Sequence, residues 1–402
     1  MPSTPPDGEP APVDGSLPAA ALEGVGSRPL SLYVHVPFCA SRCGYCDFNT
    51  YTAAELGAAP GSSQDAYLAA AAAELDLARS VLGPHEVETV FFGGGTPTLL
   101  PASALAGLLT AVRDRFPLAV GAEVTTEANP ESVDQAYLDT LVAAGFTRLS
   151  LGMQSARPRV LAVLERRHTP GRVADVVGGA RRAGFGSVSV DLIYGSPTET
   201  IDDWTASLDA ALALEPDHVS AYSLIVEPGT RLAARIGRGD LPFPDDDFHA
   251  DCYLRAEERL TAAGYTGYEV SNWSRPGHES RHNLAYWLGH DWWGVGPGAH
   301  SHVGGVRWWN VRHPRDYSAR LAVGSSPAQA REVLDAEQRR VERVLLELRL
   351  SQGLPLEVLT QTERARVPGL AARGLLRVDA TSARPTLRGR LLADAVVRDL
   401  LD

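Results

Sequence analysis

The stretch Tyr33-Val34-His35-Val36-Pro37-Phe38-Cys39-Ala40-Ser41-Arg42-Cys43-Gly44-Tyr45-Cys46 carries three of the four cysteines of the chain. A strand-like run leads into a short loop with the spacing CxxxCxxC. Three thiolates so placed can each hold one iron of a 4Fe-4S cubane, and the fourth iron is then left open as a reaction site. A zinc site with His35 as fourth ligand is the competing reading. Zinc motifs usually pair two CxxC knuckles separated by about a dozen residues or more, and Cys252 stands alone.

Outward from this loop the chain repeats one unit. Six β-rich runs, Leu32–Pro37, Val87–Gly93, Glu123–Ala128, Arg148–Gln154, Ser187–Gly195 and His218–Glu227, alternate with amphipathic stretches such as Asp65–Leu82, Ala102–Arg115, Val133–Ala144 and Thr200–Leu214. Repeated β-then-α units predict an α/β fold with a parallel sheet and helices outside it. Residues 1–28, rich in Pro, Ala, Gly and Ser, bury too little to offset ordering and are expected to form a disordered tail. The division expected is a barrel over 29–240, a linker helix and a Trp/His-rich segment over 241–325, and a further domain over 326–402. That last domain reads as a long helix, Ala328–Leu350, then a second helix, a hairpin at Leu375–Thr386 and a final helix, a mostly helical, winged-helix-like pattern.

The formal charge of −12 over 402 residues argues against a nucleic-acid partner, because a phosphate backbone would be repelled. No apolar run is long enough to span a membrane and no secretory leader is evident, so a cytoplasmic location is expected. Three clustered thiols and a distant fourth make no disulfide framework.

Several residues stand out for their chemistry. Gly93-Gly94-Gly95-Thr96-Pro97 closes the second strand, and its glycines let a small ligand approach the backbone, whose N–H and C=O groups could bond it. Glu127 ends the third strand, where a side chain would point over the pocket of a barrel. Asp191 lies inside a run that reads as a buried strand, where a carboxylate needs a partner. Residues 271–313 hold six of the seven tryptophans and six of the eleven histidines. Such a block offers stacking faces and histidine ligands to a flat apolar group, or is ordinary core.

The wording YxHxPFCxxxCxYCxF, with the GGGTP run, resembles the radical S-adenosylmethionine (SAM) superfamily, and within it the HemN/HemW branch. That branch comprises oxygen-independent coproporphyrinogen III oxidases and heme chaperones. The resemblance implies a partial (β/α)6 barrel with its chemistry at the carboxyl ends of the strands. It implies a 4Fe-4S cluster on Cys39, Cys43 and Cys46 whose open iron chelates SAM. It also implies SAM contacts at Tyr33, Tyr45, Gly94, Gly95, Thr96, Glu127, Gln154, Arg166 and Asp191; Arg166 is preferred to Arg167 on counting alone. Arg281-His282-Asn283-Leu284-Ala285-Tyr286-Trp287 resembles the HNxxYW of the chaperones and makes His282 the expected heme ligand, near the open end of the barrel. Gly294-Val295-Gly296-Pro297-Gly298-Ala299-His300-Ser301 resembles the family's glycine-rich GxGxxAHS turn.

Two functions follow from that branch. A chaperone would bind heme and deliver it to client hemoproteins, membrane-associated ones included. An oxidase would decarboxylate coproporphyrinogen III by radical chemistry. The oxidases continue their motif as CxxxCxxCxC, whereas Phe48 stands two residues after Cys46. That departure and HNxxYW favour the chaperone, and whether the protein is an enzyme stays open on the sequence.

Overall fold

The computed structural model describes residues 7–57, 61–166 and 169–402. In chain order the strands are β1 (Glu9–Pro10), β2 (Leu30–Val36), β3 (Val87–Gly94), β4 (Leu118–Ala128), β5 (Arg148–Gln154), β6 (Ser187–Tyr194) and β7 (His218–Ser223). They continue with β8 (Thr266–Gly267), β9 (Asn272–Ser274), β10 (Asp291–Val295), β11 (His300–Val303), β12 (Val306–Asn310), β13 (Ala328–Val333), β14 (Leu354–Pro355), β15 (Leu376–Val378) and β16 (Ser382–Pro385).

Among the described residues, β1 to β13 form one sheet in the order β1-β13-β12-β11-β10-β2-β3-β4-β5-β6-β7-β9-β8. β2 to β7 are parallel neighbours in sequence order, as the repeated β-then-α pattern requires. β10 adds a seventh parallel strand, pairing Asp291 with Leu30 and Val295 with Val34. The sequence did not announce it, because β10 arrives from far along the chain without a preceding repeat. The outward faces of the strands carry Leu32, Val34, Val90, Phe92, Leu149, Leu151, Val188 and Val190, all fully buried against helices such as Gln64–Leu82 and Ala102–Arg113. The helix Asp246–Ala262 packs on the helix Ile201–Leu212, where the indole N–H of Trp204 donates to the carbonyl of Cys252 at 2.8 Å.

Three expectations need correction. Residues 7–28 are not without structure: Glu9 pairs with Arg331 in the β1–β13 ladder and by ion pair, Arg28 bonds Asp291 at 2.7 Å, and Ala21 is buried. These few specific anchors do what large apolar side chains do elsewhere. Residues 1–6 lie outside the described part. The helix expected at Ala328–Leu350 starts instead as β13, hydrogen-bonded to β12, and turns helical only at Ala336–Glu347. The cause is Asp335, whose carboxylate caps the Gln338 N–H while the Gln338 side chain bonds back in a capping box. Nor does the barrel end at residue 240, since β8 to β13 belong to the same sheet.

A second core begins within the helix Ala336–Glu347. Val344, Leu348, Leu354, Val367, Leu370, Leu375, Val396 and Leu400 pack together around the small sheet β14-β16-β15 and the helices Gln361–Ala372 and Ala393–Leu401. The expected hairpin is β15–β16. Three short strands and four helices, the short Leu387–Leu391 among them, give the mostly helical, winged-helix-like pattern read from the sequence.

Candidate functional site

A cavity of about 1850 Å³ runs through the barrel. Its lining includes every residue expected to contact the cluster or SAM, together with His282. The residues fall into two levels, set by the direction of the strands.

At the carboxyl ends lies the cysteine loop. Its two limbs are zipped by Cys39 N–H to the Tyr51 carbonyl at 2.9 Å and Tyr51 N–H to the Pro37 carbonyl at 2.7 Å. Cys39, Cys43 and Cys46 are free thiols, half-buried and lining the cavity. Burial pushes the Cys39 thiol up and the Cys46 thiol up to about 11, so the loop is suited to thiolates only when a metal draws off their protons. His35 does not join them: its Nε2 meets the Asn49 carbonyl at 2.9 Å and its Nδ1 meets the Tyr33 hydroxyl at 3.0 Å. Among the described residues no three Cys, His, Asp or Glu side chains converge on one ion. With both ring nitrogens bonded, His35 is not placed as a fourth zinc ligand, whereas a cubane would offer each thiolate a different iron.

The loop is held from behind. The Asn49 amide donates to the carbonyls of Pro297 at 2.9 Å and Arg312 at 2.7 Å. The turn that supplies Pro297 is itself fixed by buried Glu74, which accepts from Gly296 N–H at 2.8 Å, the Asn310 amide at 2.7 Å and the Tyr317 hydroxyl at 2.6 Å. Gly296, at φ +117°, packs against the His35 carbonyl where no side chain would fit. The glycine-rich turn is therefore a brace for the cluster loop.

Gly94, at φ +104°, sits so close to the His35 ring that a Cβ there would meet it at 2.5 Å. The N–H groups of Gly94, Gly95 and Thr96 are already bonded, to Glu127 Oε2 at 3.2 Å and to the carbonyls of Val36 and Phe38, each at 2.8 Å. A ligand therefore meets acceptors here and not the backbone donors that the glycines suggested. Glu127 faces the cavity, and burial followed by the nearby Asp191 charge pushes its carboxyl up to about 8, against the pull of the Gly94 N–H.

Gln154 ends β5 at φ +66°, after a register shift that aims its amide beside Gly152. Arg166 lies there too, bonding the Gly152 carbonyl and the Cys43 sulfur, each at 3.4 Å, with its Nε buried and unpartnered. Its fork points at the cluster loop and is available to a carboxylate. Arg167 lies outside the described residues. Asp191 has found its partners: the hydroxyls of Ser220 and Ser150 hold its carboxylate down, Ser150 donating at 2.9 Å, and Ser189 adds weaker support at 3.5 Å. Burial nonetheless raises its pKa. Ser150 was missed by sequence reasoning, although it shares the inward parity of Gly152 along β5. Tyr45 packs beside Leu164, Ile193 and Leu232.

At the amino ends the floor is closed by the segment containing the helix Arg281–Trp287. Glu123, on β4 opposite Thr89, caps that helix through the N–H groups of Arg281 and His282 at 3.1 and 3.0 Å. His282 thus lies at the bottom of the cavity and not near its open end, as expected from the sequence. It is 2% exposed and stacks on Phe91, with ring centroids 5.1 Å apart. Its Nδ1 meets Thr89 Oγ1 at 2.7 Å and its Nε2 the Tyr286 hydroxyl at 2.9 Å. Thr89 donates its own proton to Ser31 at 2.9 Å, so Nδ1 carries the hydrogen and Nε2 the lone pair. Burial pushes its pKa down to about 3, which keeps the ring neutral. Of the aromatic block, Trp273, Trp293, Trp308 and Trp309 are buried core.

Residues 33–211 match the Radical SAM superfamily. The chain is 54% identical over 380 residues to the heme chaperone HemW of Mycobacterium tuberculosis, covering 94% of this chain and 97% of that one. It is 39% identical to the heme chaperone HemW of Escherichia coli, over 72% of this chain and 75% of that one. It is 35% identical to the mitochondrial radical S-adenosyl methionine domain-containing protein 1 of Bos taurus, over 94% and 88%. Among solved structures, the coproporphyrinogen III oxidase HemN of Escherichia coli, a radical SAM enzyme, superposes with a TM-score of 0.80 at 26% identity, covering 96% of this chain and 94% of that one.

Proposed function

Because the chain belongs to the heme chaperone HemW family within the radical SAM superfamily, we propose that it binds heme in the barrel cavity, carries a 4Fe-4S cluster and SAM at the mouth, and passes heme to client hemoproteins. The observation that carries the reading is His282. A neutral imidazole with its Nδ1–H anchored on Thr89 and its Nε2 lone pair on the Tyr286 hydroxyl, with His282 and Tyr286 both lining the cavity, is the tautomer suited to an axial heme ligand. Only the Tyr286 hydroxyl must leave for iron to take its place.

At the mouth, Cys39, Cys43 and Cys46 would hold the cluster. Buried acceptors such as Glu127 suit the amino group of SAM, while the Arg166 fork suits its carboxylate. The cluster supplies an iron with an open coordination place; the chain's own part is to hold SAM across Gly94, Gly95, Thr96, Glu127, Gln154, Arg166 and Asp191, with Tyr33 and Tyr45 flanking. Phe48, 57% exposed at the cavity rim, stands where an oxidase would place a further cysteine, which argues against porphyrinogen decarboxylation. Among the described residues no helix is long and apolar enough to cross a membrane. Our reading is a cytoplasmic protein that meets membrane-associated clients from outside the bilayer.

The test is anaerobic titration of the intact protein with heme, alongside assay with coproporphyrinogen III in the presence of cluster, SAM and reductant. Stoichiometric binding, a Soret band shifted or lost in His282→Ala, and no decarboxylated product are expected. Formation of protoporphyrinogen would overturn the reading, while heme binding indifferent to His282 would move the site.

A further inference from the structure

Arg148 opens β5, and strand alternation turns its side chain inward with Ser150 and Gly152. It lines the cavity near the floor and is 3% exposed. Its Nη1 donates to Ser187 Oγ and to the His278 carbonyl, each at 2.9 Å, but its Nη2 is buried with no partner. Among the described residues no carboxylate forms an ion pair with it. Asp191 feels its charge, yet takes its hydrogen bonds from serines.

A guanidinium cannot shed its proton to escape burial, and an uncompensated buried cation costs several kcal/mol. Asp191 compensates this charge only at a distance, and a carboxylate entering the cavity would give the Nη2 the direct partner it lacks. A second unpartnered group stands beside it: Thr125, register-paired with Arg148 across β4 and β5, is fully buried, lines the cavity, and has no partner for its Oγ1. The same register continues to Phe91 on β3, which pairs with Thr125 and carries the stacked His282 ring. Phe91, Thr125 and Arg148 therefore form one row across three strands, with the proposed iron ligand stacked at one end and a guanidinium with an unpartnered Nη2 at the other. Two strand spacings of about 4.8 Å separate those ends. That span is comparable to the reach from the centre of a porphyrin to the carboxylates on its edge.

We propose that Arg148, with the Thr125 hydroxyl beside it, is the counter-ion site for a carboxylate of the ligand that enters the barrel, a propionate of heme. This rests on the heme reading and adds to it the polarity of the ligand: the propionate edge is turned toward β5. The site also accounts for a buried charged residue at the start of β5.

The experiment compares heme with its dimethyl ester, and metal-free protoporphyrin with its dimethyl ester, on the intact protein and on Arg148→Gln and Arg148→Lys. The wild type should bind each free acid about tenfold to a hundredfold more tightly than its ester, the range of a charge-assisted hydrogen bond. Arg148→Gln should bind acid and ester alike, with the Soret position at saturation unchanged, and Arg148→Lys should restore part of the preference. SAM affinity should not move. Equal affinity of the wild type for acid and ester overturns the proposal while leaving heme binding intact, and it does so even if the glutamine variant fails to fold. A preference that survives in Arg148→Gln overturns it as well. Loss of SAM affinity in that variant reassigns Arg148 to the SAM carboxylate, and failure of the wild type to bind either heme or protoporphyrin removes both readings together.

Discussion

The mouth and the floor of the barrel are assembled in different ways. At the mouth, functional side chains sit on or just beyond the carboxyl ends of successive parallel strands: the cysteine loop after β2, the GGGTP run after β3, Glu127 on β4, Gln154 on β5 and Asp191 on β6. Each is placed by its own strand, and a short local motif suffices to find it. At the floor, the helix bearing His282 comes from residues 281–287 and closes over the amino ends of strands begun some 190 residues earlier, with Thr89 of β3 and His282 separated by 193 positions. It is placed by contacts with Thr89 and Glu123, and the segment leading into it is held by Arg148 on the His278 carbonyl; none of the three belongs to its own motif. The two levels are held by different contacts and can be probed by separate variants.

The largest expected effect separates the mouth from the rest of the chain. Cys43→Ala should abolish cluster reconstitution, measured by iron and sulfide content and visible absorption. Cys252→Ala should leave it intact, because Cys252 is wholly buried in the helix Asp246–Ala262, away from the triad. Equal loss in both variants would break the assignment of the cluster to the mouth.

The next effect tests whether the mouth works as one ligand cradle. Asp191→Asn should keep the fold, since Ser150 can still donate to the remaining oxygen, and should weaken SAM binding by about 1–3 kcal/mol for the lost charge. An unchanged dissociation constant by calorimetry would take Asp191 out of the cradle.

How much of this was legible follows from the same contrast. The six parallel strands, the cysteine loop and the strand-end carboxylates were readable because period, spacing and position along a strand are local properties. β10 was not, since nothing near Asp291–Val295 says that its partner is β2. The helix assigned to Ala328–Leu350 failed at its first third because pairing with β12 outweighs weak helix preference, while the capping box at Asp335 was present in the sequence and marks the true start. The block of tryptophans and histidines was recognised as one unit, yet the fold splits it: residues 294–301 brace the cysteine loop at the mouth, and residues 281–287 seal the floor. Arg148 escaped notice because a single charge at a strand end has no motif, and only the register shows it facing Thr125.

A pH titration sharpens the account of the mouth. Glu127, pushed up to about 8, is largely protonated at neutral pH before SAM arrives. An amino group donating to it requires the carboxylate, so binding releases a proton and affinity should rise with pH between about 6 and 8, by at most about tenfold per unit, and level off above. Glu127→Gln should flatten that part of the slope. A slope identical in the variant would assign the proton to the ligand alone.

The smallest expected effect concerns the floor and runs in the opposite sense to the others, because it is a gain. The Tyr286 hydroxyl donates to His282 Nε2 at 2.9 Å and so competes with iron for the lone pair. Losing a neutral hydrogen bond of this kind is worth about 1 kcal/mol, or roughly fivefold in affinity. Tyr286→Phe keeps the ring that packs edge-on against Trp292 at 4.8 Å and removes only the competitor. Heme affinity should therefore increase by about that factor, with the absorption band of the His282 complex unaltered, while SAM and cluster binding at the mouth stay as they were. A decrease in heme affinity would mean that the hydroxyl stays with its histidine or contacts the ligand itself, and the iron would then have to be held from another side of the cavity.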